Sequence, residues 1–125
     1  MSPHKEGRET VRIALPWPPS TNNLYFNCGG RGRVPTKEYV AWKREAGWTL
    51  AAQRPPKFTR PVTITIELCP PHSRRFDLDN RVKATLDLLT LHLVIPDDNA
   101  GFVREVTVKR VDNAAPCVVE VRSIA

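Results

Sequence analysis

Asp77 and Asp79 stand two residues apart in the run Arg74-Arg75-Phe76-Asp77-Leu78-Asp79-Asn80, with Lys83 next and Ile95-Pro96-Asp97-Asp98 further on. Two carboxylates packed this closely must protonate, splay into water or share a cation. A hard, oxygen-seeking ion such as Mg²⁺ suits bare carboxylates and leaves room for phosphate oxygens and water. Arg74 and Arg75 then supply the phosphate side of the same site, and the pattern points to metal-dependent chemistry on a polyanion. Each residue also has a plainer use. Asp79 would serve as the cap of a helix, where unpaired amides favour negative charge. Lys83 would form an i,i+4 ion pair with Asp79 or Asp87, and Asp97-Asp98 would make an ordinary turn. Asp77 resists such treatment, because a second carboxylate just before a cap adds repulsion unless an arginine or a metal answers it.

The elements that must hold these residues can be read from periodicity. Val11, Ile13 and Leu15 alternate with polar or small residues and predict a strand ended by Pro16, Pro18 and Pro19. Residues 20–33 have the composition of a loop, and we expect a flexible basic arm carrying Arg31 and Arg33. Thr36 is the expected N-cap of a helix running to about Gln53, with Tyr39, Trp42, Ala46 and Leu50 on its buried face. Val62 to Leu68 alternates as a strand and stops at Pro70-Pro71. A second helix is expected from Leu78 or Asp79, with Val82, Leu86, Leu89 and Leu93 as its apolar stripe and Pro96 closing it. Residues 102–111 and 117–123 read as two last strands, joined by a hairpin turn over 112–116. The expected order is β-α-β-α-β-β: one small α+β (mixed α/β) domain over 1–125, a mixed sheet covered by two helices, with 1–10 a flexible extension.

Composition narrows the class. Residues 1–60 hold 11 basic and 4 acidic side chains, and residues 61–125 hold 8 and 9, so the net charge of +6 is concentrated in the first half. A basic half joined to an acid-bearing half suits an enzyme acting on nucleic acid. Cys28, Cys69 and Cys117 form no Cys-x-x-Cys pair, which argues against a zinc ribbon or a disulfide framework. No apolar run approaches the ~20 residues that span a bilayer, and together with the cysteine usage this leads us to expect a soluble, cytoplasmic protein with no membrane partner. His4, His72 and His92 show no metal-ligand spacing, and Trp17, Trp42 and Trp48 are expected as core or interface anchors. Tyr25 and Phe26, aromatics in a basic loop, are candidates for stacking on unpaired bases.

Leu15-Pro16-Trp17-Pro18-Pro19-Ser20-Thr21-Asn22-Asn23, then Arg75-Phe76-Asp77-Leu78-Asp79-Asn80 with Lys83, then Asp97-Asp98, resemble in order and spacing the RusA family of Holliday junction resolvases, over about Val11 to Val121. The resemblance implies a homodimeric, Mg²⁺-dependent endonuclease, with Mn²⁺ as a substitute ion, that recognises four-way DNA junctions and nicks two strands of like polarity. By the same resemblance Asp77, Asp79 and Asp98 are the metal-binding carboxylates and Lys83 the catalytic lysine. Ser20, Asn22 and Asn23 match the DNA-contacting N-terminal motif, and residues 73–80, including Arg74, Arg75 and Asn80, match the basic strip beside the active site. Ser73-Arg74-Arg75-Phe76 is less densely basic than the family pattern, and Thr21 is an extra residue in the Ser-Asn-Asn segment. Two other functions fit the same residues: a noncatalytic basic DNA-binding module, and a metal-dependent phosphoesterase acting on small nucleotides or RNA.

Overall fold

The computed structural model describes residues 9–112 and 115–124. Of the extension expected over 1–10, residues 1–8, with His4, lie outside the described residues. Thr10 already pairs with Arg122, so the first strand begins one residue earlier than expected, and that part of the extension is sheet.

The strands β1 (Thr10–Leu15), β4 (Val62–Leu68), β5 (Val103–Arg110) and β6 (Cys117–Ser123) form a mixed sheet in the order β1-β6-β4-β5. Two helices, α1 (Lys37–Ala52) and α2 (Val82–Leu91), cover one face. This is the α+β domain that the periodicities predict. Val62, Ile64, Ile66 and Leu68 of β4 and Cys117, Val119 and Val121 of β6 are buried, so the alternation places one residue in two under the helices. The opposite face is polar: Arg12 lies 2.9 Å from Glu67 and 3.8 Å from Glu120, which also meets Arg122 at 3.2 Å.

The expected β5–β6 hairpin does not form. β4 lies between the two strands, parallel to β5 and antiparallel to β6. Charge explains the order. β5 carries Arg104, Glu105, Lys109 and Arg110, all exposed, and suits an edge, whereas the apolar alternation of β6 demands neighbours on both sides. Both flanks of the connection bond to the end of β4, Val111 N–H donating to Leu68 O at 3.0 Å and Cys69 N–H to Pro116 O at 2.8 Å. Asn113 and Ala114 of the expected turn lie outside the described residues.

Thr36 caps α1 as predicted, its Oγ1 accepting from Tyr39 N–H at 3.1 Å, and Tyr39, Trp42, Ala46 and Leu50 are buried beneath it. Trp42 therefore serves the core; Trp48 is 74% exposed. A Cβ at Gly47 would lie 2.8 Å from His92 Nε2, so the glycine admits the imidazole at the end of α2.

Residues 20–35 are more ordered than a loop. A 3-10 turn, Thr21–Asn23, leads into β2 (Tyr25–Asn27) and β3 (Arg33–Pro35), a two-stranded antiparallel hairpin with a second 3-10 turn, Gly29–Arg31, between its strands. Gly32 turns it, at φ 72 and ψ −142, a conformation open only to glycine. Thr36 ties the 3-10 turn before this hairpin to α1 by donating to Asn23 O at 2.7 Å.

The second helix also departs from expectation. Leu78–Arg81 forms a 3-10 turn, and α2 proper begins at Val82. Its buried residues are Ala84, Thr85, Leu88 and Leu89, with Val82 and Leu86 packed at the margin. Leu93 is 54% exposed, not buried, because the helix has ended: Leu93 adopts φ 60 and Val94 N–H reaches back to Leu89 O at 2.9 Å. Val94 and Ile95 fill the core in its place.

Candidate functional site

The chain leaves β4, passes the basic strip and enters α2 through the turn that Asp77 opens. Asn80 N–H donates to Asp77 O at 3.1 Å, closing the 3-10 turn, and neither Asp77 nor Asp79 uses its carboxylate as a cap. The capping role open to Asp79 from sequence is therefore not taken. Asp77 and Asp79 are exposed and Asp98 half-buried.

The Leu-Pro-Trp-Pro-Pro-Ser segment is locked onto this turn. Arg81 Nη1 donates to Pro18 O at 2.8 Å, Thr21 Oγ1 donates to Asn80 O at 3.1 Å, and Trp17 meets Phe76 edge to face at 5.1 Å. Two motifs far apart in sequence thus become one surface. Ser20 is buried, its carbonyl accepting from Asn23 N–H at 2.9 Å, whereas Asn22 and Asn23 are exposed. Arg31 and Arg33 are exposed on the hairpin, Arg33 lying 4.6 Å over the Tyr25 ring. Tyr25 itself meets Tyr39 edge-on at 5.6 Å, and Phe26 remains 48% exposed.

Two clefts, each of about 360 Å³, flank the entry to α2. One is lined by the strip from Ser73 to Leu78, Asp77 included, together with Arg110 at the end of β5. The other brings Lys83 and Asp98 together with Tyr25, Tyr39, Lys43 and Asp87. The return of Asp98 toward α2, which sequence could not establish, is thereby present. Lys83 resolves its ambiguity in favour of Asp87, its Nζ lying 3.1 Å from Oδ1. The hydrogen bond and charge of Asp87 hold the Lys83 pKa above its ordinary value, and Asp98 acts in the same direction. Burial, with Asp87 and then Tyr25 adding to it, pushes the Tyr39 phenol upward, so both groups stay protonated at neutral pH.

Among the described residues, no three His, Cys, Asp or Glu side chains converge into a ready-made metal cage. Exposed carboxylates such as Asp77 and Asp79 have the chemistry of an open site, where a hard divalent ion keeps several of its waters. The donor chemistry fits such an ion. Sequence reasoning missed Arg110, Lys43 and Arg81. Arg110 could be placed only once the sheet order was known, and nothing in the sequence ties Arg81 to the carbonyl of Pro18.

Residues 16–122 match the family Endodeoxyribonuclease RusA. The crossover junction endodeoxyribonuclease RusA of Escherichia coli K12 is 40% identical over 81 residues, covering 65% of this chain and 68% of that protein. The namesake proteins of Enterobacteria phage 82 and Shigella sonnei are each 37% identical over the same shares. With the matched span running from the proline motif through the acidic turn to the last strand, this chain belongs to the RusA family of endodeoxyribonucleases.

Proposed function

We propose that this protein is a Mg²⁺-dependent endonuclease that resolves four-way DNA junctions by paired, symmetric nicking, in recombination and repair. The observation that supports it most is the cleft that Lys83 and Asp98 both line, beside a turn that presents Asp77 and Asp79, in a chain of this family. The relatives' names supply the crossover junction as substrate.

Asp77, Asp79 and Asp98 would hold the ion, with Mn²⁺ as a substitute. Bound there, it would supply charge relief at the attacked phosphodiester and lower the pKa of water. Lys83 offers its ammonium to the phosphate or orients the water, and Asp87 fixes it in place by their 3.1 Å contact. Arg74, Arg75 and Asn80, with Asn22, Asn23, Arg31 and Arg33 across the motif and hairpin, hold the DNA backbone through charge and amide contacts. Two equivalent strands need two sites, which a C₂ homodimer provides most simply. The expected setting is the cytoplasm, on the nucleoid when bound to DNA; among the described residues no helix is long and apolar enough to cross a membrane.

The test is cleavage of an immobile four-way junction against a linear duplex of the same sequence, with Mg²⁺ or with a chelator. Nicking of the junction alone, and only with the metal, is expected. Metal-independent binding without nicking would favour a noncatalytic module, and equal cleavage of RNA or small phosphodiesters a general phosphoesterase.

A further inference from the structure

A third cavity, of about 280 Å³, lies behind the basic strip, lined by Trp17, Asn23, Glu38, His72, Arg74, Arg75 and Arg81. Arg74 and Arg75 also line the cleft of Asp77, so the strip has one side toward the acidic turn and one toward this cavity. Three guanidiniums and an imidazole here face one carboxylate. Among the described residues, none of these three arginines forms an ion pair.

Arg81 is held as a fixed donor. Its guanidinium lies 5.1 Å from the Trp17 ring centroid and Nη1 is taken by Pro18 O at 2.8 Å. Its Nε, with His72 Nδ1, is buried without a hydrogen-bond partner, and the imidazole meets Trp17 edge-on at 5.7 Å. Burial disfavours the charge on Arg81, Glu38 favours it and Arg74 opposes it. A cavity where three guanidiniums face one carboxylate suits an oxyanion, and the planar fork of arginine matches a phosphate.

We propose that Arg81, with His72, Arg74 and Arg75, forms a second phosphate pocket that grips a DNA backbone phosphodiester other than the one cleaved. The pocket rests on the junction-binding function proposed above and extends it. It adds a fixed anchor on the far side of the strip, so the DNA strand is held on both sides of Arg74 and Arg75. Such an anchor sets register without reading sequence.

Mg²⁺-free wild type and Arg81→Gln are titrated by fluorescence anisotropy onto an immobile four-way junction carrying one neutral methylphosphonate linkage at a time. At one linkage apart from the cleaved one, neutralisation should weaken the wild type several-fold and leave Arg81→Gln unaffected. On the unmodified junction, the log-log salt slope of Arg81→Gln should be shallower by about 0.9. Arg81→Lys keeps the charge and should hold the wild-type slope, which separates phosphate contact from the lost Pro18 hydrogen bond if Arg81→Gln melts early. Equal losses in both proteins at every linkage, or a lysine variant as shallow as the glutamine variant, overturn the pocket. Inorganic phosphate that shifts the Trp17 indole signal, without any coupled linkage in the DNA, makes it a free-anion site and overturns the backbone assignment. Wild-type protein that fails to bind the junction overturns the proposed function and the pocket together, whereas junction binding without a coupled linkage overturns the pocket alone.

Discussion

Lys83 is exposed over half its side chain, yet it is not a loose cation, because Asp87 meets it one turn on and lines the same cleft. That pair was visible in the sequence as an i,i+4 spacing, and so was the rival pairing with Asp79; only the fold decides between them. Asp77 and Asp79 were legible by type and spacing, whereas Asp98 entered through the family resemblance, and its place beside Lys83 depends on the chain turning back after Pro96. Asp77→Asn, Asp79→Asn and Asp98→Asn should each reduce junction cleavage by at least about a hundredfold, the scale of losing a group that stabilises developing charge, while junction affinity stays largely intact. Quantified nicking and binding on the same junction check this, and retained Mg²⁺-dependent nicking removes that residue from the site. Cys117 provides a prediction away from the site. Burial pushes its thiol from 9.0 up to about 12, with Thr85 opposing slightly. The unfolded chain gives up this proton first as pH rises, so the stabilisation is complete below pH 9 and declines above it. Urea melts between pH 9 and 11 should show stability falling by up to ~1.4 kcal/mol per pH unit from this group. In Cys117→Ala that component of the slope should vanish; an unchanged slope would assign the loss to other groups.

At the level of elements, periodicity identified α1, β1, β4 and β6 almost to the residue, because each has one buried face and its pattern is strict. It failed where tertiary contacts override local pattern. The hairpin of residues 25–35 looked like loop because Asn, Gly and Arg dominate it, and its short strands are joined through the Gly32 turn. β5 and β6 looked adjacent because sequence neighbours usually pair; the charges of β5 sent it to the edge instead. α2 was expected to run through Leu93, but the left-handed turn there ends it and hands the core to Val94 and Ile95. Thr36 joins two of these elements, accepting from Tyr39 N–H and donating to Asn23 O. Thr36→Ala should cost about 1 kcal/mol of global stability, the usual loss for an N-cap, and speed amide exchange in residues 23–27. Thr36→Ser should restore both, and hydrogen-exchange mass spectrometry is the measurement; loss of stability without any change at the hairpin would show that the tie to Asn23 is idle.

For the whole molecule, the expectation that the tryptophans serve as core or interface anchors divides. Trp42 is core, the apolar face of β6 is buried within the chain, and Trp48 alone of these aromatics is free for a partner. The proposed C₂ homodimer is tested by mixing wild type with Asp77→Asn. Heterodimers should nick one strand and fail to linearise a junction-bearing plasmid in one binding event, whereas a monomer at micromolar concentration that still makes paired cuts would contradict the dimer. Arg74 and Arg75 line one cleft with Asp77, the meeting of cations and carboxylate from which motif spacing indicated a polyanion before any fold was known. The most direct measurement of the central claim is incision mapping on an immobile four-way junction with each strand labelled in turn. The account predicts two nicks at symmetric positions in strands of like polarity, dependent on Mg²⁺ and lost in Asp77→Asn. Cuts of equal rate in the matched linear duplex, or nicking that persists in Asp77→Asn, would contradict it.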